Sequence, residues 1–520
     1  MTARLLPVAV LLALSAAMAQ THTSGIGKTQ SPTAKGMVRG AKSSLPLDKE
    51  LREIINASQG VSPEFEADVL MSVVESGEIA DRNLKIRLLK TAFDAAGSAQ
   101  QPIKKGPAAE MRSDSRTGFL MIAFSFNLDA LSLQSRAVND LLLIDSNLAR
   151  ALFNKIVLPP LDPLACGNAL VYDPGNYYLA LDNIGSGTFT VQQEMQGQRS
   201  AWILPYVGDV KTHTQVVPIA KTLGSVDFSS LELAELASRF TSTLSQIRGD
   251  ELSFSAAVTS DGGNYAFEVM SGLFKVMDAK GIATSPLLSA LREYLVSNLN
   301  GTSCAVADGA DKDGDLLPPS VTNFNHKFKV ALQKAQLGPI QKDELKDARI
   351  FPTAKVYPFW QSADSKQLSE TLKDLKWGKG PNARSEKEKK AIAWTSRARD
   401  YLTQVNSWSG KGEDESDFFH EKCVFYEALI DVMPPSEDRT AFLDNYVLFL
   451  EQNSFQQTSR IEWFWHAKGL LTGFRAPDDR ASVLRAFLNS RDSTLRLYAK
   501  VEKWKLQHVS GKAASNPRVR

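Results

Sequence analysis

Over residues 415–506 apolar side chains recur at three- and four-residue steps between short polar breaks, the spacing that lines one face of an α-helix. Phe419, Cys423, Tyr426, Ile430 and Met433 form the first such stripe, and Pro434 and Pro435 stop it. Ser436 is placed as the N-cap of a second helix, with Glu437 and Asp438 in its first turn and Phe442, Leu443, Tyr446, Val447 and Leu450 on its apolar face. In a third, Trp463 and Trp465 stand two residues apart, about 200° around the axis, which predicts a helix covered on two sides. A fourth starts at Pro477, Asp478 and Asp479, carries Val483, Leu484, Phe487 and Leu488, and restarts after Ser490 towards Leu497, Tyr498 and Trp504.

The first half of the chain repeats this pattern. Ser62 and Pro63 open a helix whose face is Val69, Leu70, Val73 and Val74, and Gly77 ends it; a partner through Leu84, Ile86, Leu88, Leu89 and Phe93 ends near Gly97. Residues 131–144 and 148–156 make a second pair around Asp145, Ser146 and Asn147. From Ala137 through that turn to Ala149 and Ala151, this pair resembles one unit of the tetratricopeptide family, whose 34-residue period does not recur elsewhere in the chain; the resemblance implies helix pairing and nothing more. Further helical patterns cover residues 231–247, 265–277 and 286–299. Pro159, Pro160, Pro163 and Pro174 make residues 158–175 irregular around Cys166, and residues 300–319 are irregular around Cys304. Residues 348–360 alternate apolar and polar between prolines, as a short strand or extended linker does.

The expected fold is therefore all-α: antiparallel helix pairs in a solenoid or multi-helix bundle, joined by irregular Pro- and Gly-rich connections. Its expected organisation is a helical domain over 47–345, an extended connection over 346–364, a second helical domain over 365–508 and a disordered tail over 509–520.

Composition then bounds the class. The chain has 520 residues, 43% hydrophobic and 23% charged, enough to bury a large core, and its net charge of +2 selects no partner. Arg4, the apolar run over residues 5–14 and the Ala17, Met18, Ala19 triplet read as a secretory signal peptide over 1–19, cleaved before Gln20. No later stretch is apolar for the roughly 20 residues a bilayer crossing needs, so the mature chain is expected outside the cytoplasm without a membrane span. Residues 20–46 read as a flexible linker in which Lys28, Lys35, Arg39 and Lys42 meet no acid, a spacer or a basic tether to an anionic envelope polymer.

Candidate chemistry is sparse. The motifs of zinc proteases, nucleophile elbows and phosphate-binding loops do not occur in the sequence. His420 and Cys423 share a helical face, but a zinc site needs a further ligand that nothing near them supplies, so Cys423 reads as core; His213, His326 and His466 read as isolated. Asp308, Asp311, Asp313 and Asp315 alternate in a loop with Gly309 and Gly314, as calcium ligands do, yet Leu316 and Thr322 fall where an EF-hand has Gly and Glu. Calcium is thus an option of that loop, and a solvated acidic turn the plainer one; no other cofactor is expected.

Of three cysteines, Cys166 and Cys304 lie in irregular segments able to adopt bridge geometry and form the disulfide candidate. Seven of the eight tryptophans lie at or after Trp360, and residues 366–399 carry ten Lys and Arg against four Asp and Glu. Lys373, Lys376, Lys379, Arg384, Lys387 and Lys390, with Trp377 and Trp394 among them, make a polyanion surface conceivable, although Trp394 and Trp408, fourteen residues apart, share a face that points to a core. Nucleic acid is not an expected partner of an exported chain. The expected function is an exported, non-catalytic helical scaffold or binding protein for a protein or envelope polymer; the alternative is an exported hydrolase of envelope polysaccharide with dispersed acids.

Overall fold

A computed structural model describes residues 48–99, 102–107, 115–300, 302–305, 317–345, 349–352, 362–377, 384–411, 414–433, 437–454, 460–473 and 477–515. Helix dominates them. The first group is α1 (Lys49–Ser58), α2 (Pro63–Glu75), α3 (Arg82–Ala96), α4 (Arg116–Phe124), α5 (Ala130–Leu142) and α6 (Ser146–Phe153). Their starts are chemically marked: Asp81, Ser115, Asp129 and Asp145 each accept a hydrogen bond from a first-turn amide that would otherwise lack a partner. Gly77, at φ +76°, turns the chain after α2 in a conformation that costs a residue with a Cβ. Helices α2 and α3 form the hairpin that Ser62, Pro63 and Gly77 imply, and α5 packs on both.

The second group is α7 (Gly175–Gly187), α8 (Val191–Met195), α9 (Gln198–Gly208), α10 (His213–Ser225), α11 (Ser230–Leu244), α12 (Glu251–Phe254), α13 (Asn264–Ala279), α14 (Ser285–Leu299), α15 (Pro319–Lys327) and α16 (Lys329–Lys334). Helix α10 lies between α7 and α13, and α11 between α9 and α14. A π-turn over Ser255–Thr259 follows α12. Beside it, Cys166 and Cys304 are joined in a disulfide with their Cα atoms 5.2 Å apart, closing a separation of 138 residues.

Among the described residues the strands are short. β1 (Lys105–Pro107) pairs antiparallel with β2 (Leu170–Tyr172), and β3 (Thr302–Ala305) pairs parallel with β4 (Arg349–Pro352). The alternating segment thus supplies a strand at its start, and residues 353–361 lie outside the described set.

The last group is α17 (Ala363–Trp377), α18 (Arg384–Ser407), α19 (Glu415–Val432), α20 (Glu437–Asn453), α21 (Arg460–Gly473), α22 (Pro477–Asn489) and α23 (Ser493–Ser515). Phe419, Cys423, Tyr426 and Ile430 are buried along one face of α19, and Met433, which follows its last residue, is buried too. Helix α21 is covered on two sides: Trp463 Nε1 donates to Leu450 O of α20 at 2.7 Å, while the Trp465 ring lies 4.8 Å from Phe119 of α4. Helix α23 runs to Ser515.

Residues from both ends of the chain share one apolar core, which runs from Leu51 of α1 to Trp504 of α23. Helix α1 packs on α23, where Trp504 Nε1 donates to Asp48 Oδ2 at 3.0 Å. Each fully buried Phe, Leu or Val of such a core contributes about 1.5–3 kcal/mol. No described helix is long and apolar enough to cross a membrane.

Candidate functional site

Two features could carry function, and they lie on different elements. The first is a cavity of about 490 Å³ where the end of α3, the start of α5 and the segment after α6 converge. Ile103, Leu131 and Val157 give it apolar walls, and Gln134, Lys155 and Asp129 its polar groups. Asp129 is committed to the fold: its Oδ1 accepts from Ser132 N at 2.9 Å, and burial pushes its carboxyl above the usual carboxylate range. Val157 is 81% exposed and Lys155 is exposed, so this rim is open to a partner. Next to Lys155, Asn154 Oδ1 accepts from Trp202 Nε1 at 2.8 Å and from Tyr206 OH at 3.3 Å, which sets two half-buried rings of α9 beside the rim.

The second feature is a buried chain of titratable groups. His420 of α19 and His466 of α21 are 0% and 1% exposed, and His420 Nδ1 lies 2.9 Å from His466 Nε2. Each outer ring nitrogen meets a carboxylate: His420 Nε2 lies 2.9 Å from Glu462 Oε2, and His466 Nδ1 lies 2.8 Å from Glu427 Oε1. Ser416 Oγ also donates to Glu462 Oε2, at 2.9 Å, and Tyr446 OH to Glu427 Oε1, at 2.6 Å. Phe119 of α4 stacks on the His420 ring with centroids 5.1 Å apart. Burial lowers the His420 pKa, partly opposed by its bond to Glu462. Burial opposes ionisation of Glu462 as well, but the bond and charge of His420 outweigh it and hold that carboxyl below its ordinary value. Burial also pushes the Cys423 thiol well up, so at neutral pH Cys423 is a protonated core residue.

The order of groups limits the chemistry. In a nucleophilic triad the base touches the hydroxyl and the carboxylate orients the base. Here Ser416 bonds to the carboxylate and not to a histidine, so the triad order is not met. Among the described residues no group of three or more His, Cys, Asp or Glu is arranged to hold a metal ion.

A third set of acids binds helices together. Asp68 of α2 accepts from Arg136 of α5 at 2.6 Å and from Tyr498 of α23 at 2.6 Å, with Lys468 of α21 at 3.6 Å. Burial works against the Asp68 charge, yet Lys468, Arg136 and Tyr498 together hold its carboxyl well below the usual range. Arg136 also clamps Glu75 through two nitrogens, each at 2.6 Å. Beside it, burial and the Glu75 charge push Asp140 up to about 7.

The residues singled out in the sequence are scattered. Asp308, Asp311, Asp313, Asp315 and Lys379 lie outside the described residues. Lys373 is exposed on α17, where it pairs with Glu370. Lys376 lies on the same helix, and Arg384, Lys387 and Lys390 lie on α18. Trp394 Nε1 donates to Leu375 O at 3.1 Å, and Trp408 is buried, so both rings serve the α17–α19 core.

His213 is a satisfied core histidine, bonded to Tyr294 OH and Gly249 O at 2.6 Å each. His466, isolated in sequence, finds His420 only because α19 and α21 pack against one another through α4 and α20. No local spacing announces a contact made across 46 residues.

Comparison of the chain with protein-family models, curated proteins and solved structures finds no match, so the functional reading rests on geometry.

Proposed function

We propose that this chain is an exported, non-catalytic helical binding protein whose ligand, a segment of an exported protein or of an envelope polymer, sits in the cavity between α3, α5 and the segment after α6. The observation behind this reading is that chemistry and access are separated. The rings of His420 and His466 are buried, and the titratable groups around them are hydrogen-bonded to one another. The open cavity is bordered by Leu131, Ile103 and Val157 for apolar contact and by Gln134 and Lys155 for hydrogen bonding, groups that recognise rather than react. Export is supported by the Ala17, Met18, Ala19 triplet and by the Cys166–Cys304 bond, which belongs to an oxidising compartment.

The test uses the anionic, apolar fluorophore anilinonaphthalene sulfonate, which matches the mixture of a Lys and aliphatic walls. Lys155→Glu and Val157→Asp, both at the exposed rim, should each weaken its binding about tenfold, the loss of a charge-assisted or apolar contact worth about 1.4 kcal/mol. Binding unchanged in both variants moves the site elsewhere and ends this reading.

One observation favours a second reading. Asp140, raised to about 7 beside Glu75, has the protonation behaviour of a general acid in a glycosidase carboxyl pair. If the purified chain releases reducing ends from envelope polysaccharide and Asp140→Asn abolishes that release, the hydrolase displaces the binding protein.

A further inference from the structure

The chain Glu462, His420, His466, Glu427 has three internal gaps of 2.9, 2.9 and 2.8 Å, each a hydrogen bond that requires one proton. Two neutral imidazoles bring only two N–H groups, and two ionised carboxylates bring none. All three gaps are therefore filled only when the chain holds a third proton. That proton makes one ring an imidazolium or one carboxylate an acid, and either arrangement leaves a net charge of −1. With two protons, one gap sets two lone pairs against each other beside buried rings, where screening by water is weak.

We propose that these four groups form one proton-binding site that latches α4 onto α19 and α21, and that loss of its third proton as pH rises releases α4. The connection to α4 is direct. Phe119 stacks on His420 at 5.1 Å and reaches the His466 ring at 6.2 Å, while Arg116 binds Asp414 and Asp417 at the start of α19. Opening the gap between the rings displaces two of the three rings on which Phe119 lies, leaving Trp465 at 4.8 Å.

The sign follows from proton counting. Released into water, each histidine has an ordinary pKa of about 6.5, so above that pH the unlatched pair holds two protons while the latched chain holds three. The latch therefore weakens as pH rises from that value, by at most about tenfold for each pH unit and only until the latched chain itself gives up the third proton.

Other groups face this site. Arg116 of α4 acts on Glu462, Asp417 of α19 on His420, and Cys423 of α19 and Tyr446 of α20 lie by Glu427, while Glu421 and Lys422 stand on the same helix as His420. Lys422 titrates in the same range, since burial lowers it to about 8, and its Nζ bonds Trp408 O at 2.9 Å. Its effect has the opposite sign, because a lysine with a lowered folded-state pKa gains stability as pH rises.

The test is amide hydrogen exchange over α4 from pH 7 to 9, read as protection factors with the intrinsic base-catalysed rate divided out. The wild type should lose protection as pH rises, by at most about tenfold per pH unit. Glu427→Gln should abolish that dependence: an amide NH₂ donates to His466 Nδ1 and to the Tyr446 oxygen, so all three gaps are filled with both histidines neutral. Glu462→Gln does the same from the other end, donating to His420 Nε2 and Ser416 Oγ, and carries the same expectation should the first variant not fold. Lys422 is intact in both variants, so its contribution cancels in the comparison. A flat wild-type profile, or a wild-type slope retained in a folded variant, overturns the proposal.

Discussion

Asp68→Asn tests what joins the first helices to the last. Asp68 is 1% exposed and is the meeting point of α2, α5, α21 and α23, through Arg136 and Tyr498 at 2.6 Å each and Lys468 at 3.6 Å. Removing one partner of a buried ion pair costs roughly 3–5 kcal/mol, because the remaining charge stays desolvated. Arg136 and Lys468 are 28% and 27% exposed and Arg136 keeps Glu75, so the cost belongs at the lower end, about 3 kcal/mol. Tyr498→Phe removes one hydrogen bond to a charged acceptor, about 2 kcal/mol. The double variant should fall short of the sum by about 1 kcal/mol or more, since both residues act on one carboxylate.

The assay is hydrogen exchange over α23 with urea unfolding monitored in parallel, which locates the loss as well as measuring it. Because the folded-state pKa of Asp68 is depressed, its contribution is fully present above the unfolded-state value of about 3.9 and is lost as pH falls through the folded one. The deficit of Asp68→Asn should thus be constant from pH 8 to 5 and narrow only in stronger acid. An Asp68→Asn protein within 0.5 kcal/mol of wild type, the range of an ordinary surface change, refutes the reasoning.

Asp140 behaves oppositely. Its carboxyl is raised to about 7, so the folded state binds the proton more tightly and stability falls as pH rises from about 4 to about 7. Asp140→Asn should be more stable than wild type at pH 8 by about 1–2 kcal/mol, allowing for partial solvent access and the share borne by Glu75, and lose that advantage at pH 4; identical pH profiles in urea melts contradict it. The Cys166–Cys304 bond closes 138 residues, for which chain entropy sets a ceiling of about 5 kcal/mol. Reduction should lower the thermal midpoint and raise exchange first in β3 and the Ser255–Thr259 turn; coincident melts of oxidised and reduced protein count against it. Material recovered outside the cytoplasm should begin at Gln20 and give a Cys166–Cys304 peptide on non-reducing mapping, whereas a chain beginning at Met1 argues against export.

What the sequence determined is local. Stripes at Phe419, Cys423, Tyr426 and Ile430, the helix start at Ser62 and Pro63 and the stop at Gly77 place helices because each signal acts within one or two turns of backbone, where the geometry is known beforehand. The pair Trp463 and Trp465 even encodes a helix enclosed on two sides, since their angular separation is a property of the helix alone.

Tertiary structure decided which helices meet, and with that the site. His466, Glu427 and Glu462 look unremarkable in sequence, and His420 stands out only for its spacing to Cys423; their hydrogen-bonded chain exists because α19, α20, α21 and α4 pack together. Asp68 and Tyr498 touch across 430 residues. Such contacts depend on the sum of many weak apolar interactions over the whole core, and no residue carries that sum in its own neighbourhood.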